Sequence, residues 1–159
     1  MNDSYLKEIG KVVVNLNSLE MYLNFLIWSL IGYNLGLDIE KSITAEMSFK
    51  NKVALFSSVF KLKHGNIKDF NIKALIKKLF TAEEERNKII HSCWLEGEKD
   101  KIVTRYKISA KIKQGLKDEF LTMSETDVNK IASLIRGAGT ELANFISAYL
   151  KKYPPAHIE

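Results

Sequence analysis

Apolar residues recur at three- and four-residue steps through most of this 159-residue chain, which is the period of an amphipathic α-helix. The first such stretch follows Asp3 and Ser4, either of which can cap a helix, and it ends at about Ile31 before a glycine-containing turn. Its predicted apolar stripe consists of Leu6, Ile9, Val13, Leu16, Leu23, Leu26, Ile27 and Leu30. Three more helices, the first of them short, are predicted over about 39–45, 49–63 and 68–92.

The period changes to two residues after the fourth helix, which is typical of a β-strand. One face of this strand carries Ile102, Thr104, Tyr106, Ile108, Ala110 and Ile112, and the other carries mainly Arg105, Lys107, Lys111 and Lys113. Residues 93–98 can pair with the strand through a turn at 99–101. The sequence therefore predicts one β-hairpin over about 93–113.

A last helix is predicted from the capping box that begins at Ser124 to about Lys152. Pro154 and Pro155 then end regular structure, and residues 153–159 are expected to form a disordered tail. The sequence contains no internal repeat, low-complexity stretch or linker, so residues 1–159 are predicted to form a single domain. The predicted fold class is mainly α, a bundle of four to five helices with one β-hairpin.

Composition and charge narrow the function classes only slightly. Hydrophobic residues make up 46% of the chain and charged residues 27%, as in an ordinary globular domain. The net charge of +5 favours an anionic partner without requiring one. The single cysteine, Cys93, excludes an internal disulfide and fits the cytoplasm. One cysteine and three scattered histidines give no familiar zinc spacing, so no metal or cofactor is expected.

Residues 12–33 form a long apolar run that raises the question of a membrane anchor. Glu20 lies near its middle with Asn15, Asn17 and Asn24, and an acid at the centre of a bilayer costs about 2.5–3.5 kcal/mol. We therefore expect a core helix and no membrane association. Asn17, Glu20 and Asn24 follow helical spacing, so they form either a solvent-facing edge or a group that supports Arg86.

The most informative motif is Arg-Asn-Lys-Ile-Ile-His at residues 86–91, in a chain that has only three arginines. It places a permanently charged guanidinium, an amide and an imidazole that titrates near neutral pH within two helical turns, a set that suits a reaction at a phosphodiester. On a continuous helix, Arg86 and His91 would diverge by about 140°. Either the helix loosens near His91, or a second copy completes the pocket across a two-fold axis.

This motif resembles the Arg-x4–6-His signature of the HEPN superfamily, in which the residue after the arginine is usually polar. The helix order over about residues 5–92 is also similar, with a long first helix that has a polar residue in its middle and a motif near the end of a late helix. The resemblance implies a HEPN-like helical bundle in which the hairpin is an elaboration. It also implies a homodimer with two motifs facing each other across a cleft.

The activity that the resemblance implies is metal-independent cleavage of single-stranded RNA by attack of the ribose 2′-hydroxyl. His91 would act as general base or acid, Arg86 would stabilise charge on the phosphorane, and Asn87 would orient His91 or a phosphate oxygen. Glu20 would support Arg86. A toxin or defence-type protein with a cognate antitoxin would fit. The superfamily also has inactive members, so a non-catalytic RNA- or nucleotide-binding module, or a protein-interaction module, is the alternative.

Other interpretations of these residues remain open at the level of sequence. Arg86 can instead pair with a buried acid such as Glu20 or Glu83, which would leave His91 as a polar helix end. The basic series Arg105, Lys107, Lys111 and Lys113 is either a track for RNA phosphates or a solvated strand face. Trp28 and Trp94 are either packing residues or stacking platforms for bases.

Overall fold

The structure, a computed structural model, describes residues 3–32, 37–65, 70–96, 102–111 and 115–154. The helices are α1 (Asp3–Ile31), α2 (Leu37–Ala45), α3 (Phe49–His64), α4 (Ile72–Ile90) and α5 (Glu125–Lys152). The strands are β1 (Cys93–Glu96), β2 (Ile102–Lys111) and β3 (Gly115–Ser124). The prediction of a mainly α fold is confirmed, with one small antiparallel sheet between α4 and α5 in the chain.

The two longest helices, α1 and α5, pack against each other, and α3 and α4 pack beside them. Fully buried aliphatic side chains fill the interior between these helices, among them Leu19, Leu23, Leu26, Leu79, Ile135 and Leu142. None of the helices in the described part of the chain combines the length and the hydropathy that are needed to cross a bilayer. This core fixes the axis of α4, the helix that carries the Arg-Asn-x-x-x-His motif.

The apolar stripe of α1 begins one residue earlier than predicted. Tyr5 and Val12 are buried, whereas Leu6 and Val13 of the predicted stripe are exposed. The buried phase includes Glu8, an acid that a sequence pattern assigns to the surface. Its carboxylate is satisfied by Lys11 and by the side-chain amide of Asn129, and these two hydrogen bonds lower the pKa of Glu8. Because a hydrogen-bonded carboxylate occupies a core position, the hydrophobic pattern predicted the wrong buried face for the first turns of α1.

Local signals set the helix ends. The side chain of Asn71 accepts a hydrogen bond from the backbone N–H of Ala74, so α4 starts at Ile72 and not at 68. The last helix begins as predicted, because Ser124 and Asp127 form the reciprocal capping box. The start of the predicted disordered tail, Tyr153 and Pro154, follows α5 directly, and the rest of the tail lies outside the described residues.

The predicted hairpin is incomplete, because the sheet has three strands in the order β1-β2-β3. β3 pairs antiparallel with β2 over its whole length, from Ile102 opposite Ser124 to Lys111 opposite Gly115. Met123 is the only residue of β3 that is buried, so the strand lacks the alternation by which a half-buried strand is recognised. Gly115 begins the strand with a φ of 70°, a backbone conformation that favours glycine.

The sheet packs on the helices through the face that carries Val103 and Arg105, both of which are buried. Tyr106 and Ile108 lie on the opposite face, which we call the outer face. The rings of Tyr106 and Phe120 stack there with centroids 4.6 Å apart, and Phe120 remains 65% exposed. The more basic face of β2 is thus the one that faces the protein, and the more apolar face is exposed.

Candidate active site at the end of helix α4

The three predicted catalytic residues come together at the end of α4 within one chain. His91 is the residue at which the helix ends, with φ −97° and ψ 34° in place of helical angles. Arg86 Nη1 donates a hydrogen bond to Asn87 Oδ1 at 2.9 Å and lies 3.1 Å from His91 Nε2. Because the helix ends at His91, the imidazole escapes the divergence expected on a continuous helix. A second copy is therefore not needed to bring Arg86 and His91 together.

The Arg86 contact restricts the tautomer of His91 that can form a hydrogen bond there. A guanidinium has donors only, so in such a hydrogen bond Nε2 of His91 is the acceptor. The ring proton of that tautomer lies on Nδ1.

The remaining donors of Arg86 are available for a ligand. Both hydrogens of Nη1 are used by Asn87 and His91, whereas Nε and Nη2 have no partner among the described residues. Neither atom belongs to the buried, unpaired polar atoms of that part of the chain, so both reach solvent. The Nε and Nη2 edge of a guanidinium matches two oxygens of a phosphate or carboxylate. The geometry thus places an anchored cation, whose binding edge has no partner among the described residues, beside an imidazole.

Glu83 interacts with the charge of Arg86, although the two side chains do not form an ion pair. Its carboxyl group is half-buried and interacts with the backbone N–H of Lys50 at the start of α3. Burial raises the pKa of Glu83, and the Lys50 N–H and the charge of Arg86 partly offset that effect. No carboxylate among the described residues lies within the ion-pair distance of 4.0 Å from Arg86.

Glu20, the predicted support for Arg86, has another partner. Its Oε1 atom lies 2.5 Å from Lys52 Nζ, and Lys52 is buried. The structure therefore does not bring Glu20 to the site. In α1, Glu20 instead neutralises a cation that α3 places between the helices. A sequence pattern cannot separate the two roles, because both put an acid in the middle of an apolar helix.

Side chains from the sheet hold the last turn of α4. The final carbonyl groups of a helix lack N–H partners within the helix. Here the carbonyl oxygen of Lys88 accepts from Ser92 Oγ at 2.7 Å and from Arg105 Nη1 at 3.1 Å. The carbonyl oxygen of Ile89 accepts from Trp94 Nε1 at 3.2 Å. The sheet is thus attached to the backbone of the last turn before His91, and Trp94 acts in packing and hydrogen bonding.

The predicted basic track for RNA is wrong for Arg105, because this residue is only 1% exposed. Its guanidinium forms an ion pair with Glu119 of β3, and burial lowers the pKa of Arg105 while the charge of Glu85 acts in the opposite direction. Lys107 is half-buried and its Nζ atom lies 3.5 Å from the carbonyl oxygen of Asn87, near the site. The side chain of Lys111, and all of Lys113, lie outside the described residues.

Trp28, a predicted packing or stacking residue, and two further features of the described residues do not add to the site. Trp28 is half-buried and donates to Thr44 Oγ1 at 3.1 Å, so it has a structural contact. The described residues contain no group of three or more histidine, cysteine, aspartate or glutamate side chains arranged to hold a metal ion. A groove of about 550 Å³ between α4 and α5 is lined by residues that include Lys77 and Leu134 but none of the motif.

Comparisons of the chain with protein-family models, with curated proteins and with solved structures gave no match. The resemblance to the HEPN superfamily therefore rests on the motif and on the order of the helices.

Proposed function

We propose that this protein is a HEPN-like, metal-independent endoribonuclease that cleaves single-stranded RNA. The observation that carries the proposal is the contact of Arg86 Nη1 with His91 Nε2, which leaves the Nε and Nη2 edge of Arg86 without a partner among the described residues. Asn87 Oδ1 accepts a hydrogen bond from the same Nη1 atom. The three residues thus combine a binding edge for a phosphate with a group that can transfer a proton, which are the two requirements of phosphodiester transesterification.

In the proposed reaction, the scissile phosphate binds the free edge of Arg86 through two non-bridging oxygens. The neutral Nε2 atom of His91 exchanges its contact with Arg86 for the ribose 2′-hydroxyl and removes its proton. The 2′-oxygen then forms a bond to phosphorus, and the bond from phosphorus to the 5′-oxygen breaks. The products are a 2′,3′-cyclic phosphate and a 5′-hydroxyl. DNA lacks the nucleophile and should remain uncut.

Transesterification also needs an acid that protonates the leaving 5′-oxygen. A symmetric homodimer would supply a second His91 for this role, as the HEPN resemblance suggests. The argument for a dimer is therefore the need for two proton-transfer groups, since one chain already brings Arg86 and His91 together. The same resemblance supports a toxin or defence-type role with a cognate antitoxin.

The decisive experiment incubates the purified protein with a labelled single-stranded RNA in excess chelator. Wild-type protein should cut the RNA and leave a DNA strand of the same sequence intact. His91→Ala should lose at least about 10²-fold in rate, the usual contribution of a general acid or base. Cleavage by His91→Ala at the wild-type rate, or loss of all activity in chelator, would refute the assignment.

A second function, a non-catalytic module that binds a protein partner, is favoured by the outer face of the sheet. The apolar side chains Leu95, Ile108, Leu116 and Phe120 are all exposed there. Exposed apolar patches of this kind often mark interaction surfaces. If wild-type protein leaves every RNA intact, and if Phe120→Ser abolishes self-association or partner binding, this second function replaces the first.

A further inference from the structure

The sheet lies between α4 and α5 in the chain, yet one of its side chains contacts a backbone carbonyl before His91 and the side chain of Ser92 after it. Arg105 Nη1 reaches the carbonyl oxygen of Lys88 at 3.1 Å and Ser92 Oγ at 3.4 Å. Lys88 precedes His91 by three residues and Ser92 follows it directly. A single guanidinium nitrogen of Arg105 therefore links Lys88 in the last turn of α4 to Ser92, which follows the helix.

We propose that Arg105 is a positioning residue for His91, and that Glu119 holds Arg105 in its place. His91 has left the helical conformation, and helix ends tend to fray, so the hydrogen bonds of α4 alone do not fix its ring. Arg105 restrains the Lys88 carbonyl before His91 and the Ser92 hydroxyl after it, which keeps Nε2 within reach of Arg86. The activity part of this inference rests on the proposed function, whereas its structural part does not.

The energetics of Arg105 support a positioning role. A buried guanidinium requires compensation, which Glu119 of β3 provides through an ion pair. Only Arg105 of this ion pair is buried, whereas the Glu119 side chain is 46% exposed, so the pair contributes little net stability. The Nε atom of Arg105 is also buried without a partner among the described residues. The cation does, however, lie at the negative end of the α4 dipole. The interactions of Arg105 therefore add little to the free energy of unfolding, but they restrain the end of α4.

The test compares Arg105→Met, which keeps the apolar length of the side chain, with Arg136→Met. Arg136 is an exposed arginine of α5 and provides the matched control. We expect Arg105→Met to lower kcat by about 10- to 100-fold with little change in KM, because it misplaces a reacting group without touching RNA. Arg136→Met should match wild type. A purely structural role would lower the melting temperature and leave kcat of the folded protein unchanged.

A second readout does not depend on nuclease activity. At about pH 8, where a histidine ring is ordinarily neutral, imidazole ¹H–¹⁵N spectra report the tautomer. Wild-type His91 should carry its proton on Nδ1, because Nε2 accepts from Arg86. In Arg105→Met the ring should exchange between both tautomers. If wild-type protein does not cut RNA, the proposed function fails, and this spectrum still tests the positioning of His91.

A folded Arg105→Met that keeps the wild-type tautomer and kcat would overturn the proposal. If Arg105→Met does not fold, the variants Arg105→Lys and Ser92→Ala are measured in its place. Arg105→Lys keeps the charge but loses the fork, and Ser92→Ala removes one hydrogen-bonding partner of Arg105. Both should show partial averaging of the two His91 tautomers. A wild-type spectrum in both variants would also overturn the proposal.

Discussion

Arg86 Nη1 and His91 Nε2 lie 3.1 Å apart, although the two residues are five positions apart on a helix that would point them in different directions. The contact exists because α4 ends at Ile90 and His91 adopts non-helical angles. The end of the helix is thus part of the candidate site. Any change that extends or frays α4 by one residue should separate the two groups.

Arg86→Lys should lose at least about 10²-fold in RNA cleavage, because one ammonium group cannot hold Asn87 and His91 while it also offers two donors to a phosphate. The measurement is the single-turnover rate on saturating RNA. Arg136→Lys serves as the control, since Arg136 is exposed on α5 and outside the site. Equal rates for wild type and Arg86→Lys would show that the fork of Arg86 is not required.

The parts of the structure that follow one local period were predictable from sequence. The extents of α3 and α5 and the capping box at Ser124 are examples, because each depends on residues a few positions apart. β3 was not predicted, since its first eight residues are exposed on both faces and the strand pairs along its whole length with β2. Pairing between strands leaves no hydrophobic pattern when neither face is buried.

The candidate site divides in the same way. Arg86, Asn87 and His91 were recognisable because their chemistry is concentrated in six residues of sequence. The support of His91 was not, because Arg105 comes from a strand whose alternation placed it on an exposed basic face. That face is the one that packs on α4, where the carbonyl oxygen of Lys88 and Glu119 compensate the buried charge. Only the tertiary arrangement reveals such compensation.

Glu20→Gln should destabilise the protein without altering the site. The substitution removes the charge that neutralises buried Lys52 Nζ, so we expect the free energy of unfolding to fall by about 1–3 kcal/mol. Urea unfolding at neutral pH measures this loss. RNA cleavage by the folded variant should remain at the wild-type rate, because Glu20 is not among the partners of Arg86. A large loss of kcat with unchanged stability would restore Glu20 as a support of Arg86.

Ser124→Ala should weaken the junction between β3 and α5. Ser124 Oγ accepts from the Asp127 backbone N–H at 3.2 Å, and its loss leaves an unpaired donor in the first turn of α5. We expect a loss of about 1 kcal/mol in unfolding free energy. Ser124→Asp, which retains an acceptor at the cap, should recover part of that loss. Unfolding curves for the two variants that coincide would contradict this reading of the cap.

The protein should become less stable as the pH is lowered, because His64, which lies outside the motif, titrates. His64 Nε2 is 3.0 Å from the Tyr149 hydroxyl, beside the ring of Phe60. Burial, and secondarily the charge of Lys63, lowers the pKa of His64 below its ordinary value of 6.5. As the pH falls below 6.5, the unfolded chain binds a proton before the folded one does, so the free energy of unfolding decreases until the lower folded pKa is passed.

The variant His64→Gln isolates this effect, because glutamine can keep a hydrogen bond to Tyr149 but does not titrate. Urea unfolding of both proteins is measured between about pH 5.5 and 7.5, because this interval lies above the pH range in which most carboxylates titrate. Wild type should lose stability relative to His64→Gln as the pH is lowered, since only wild type protonates its unfolded state at this position. The other histidines contribute equally to both proteins. A constant difference between the two unfolding free energies across this range would show that His64 has the same pKa in the folded and unfolded chains.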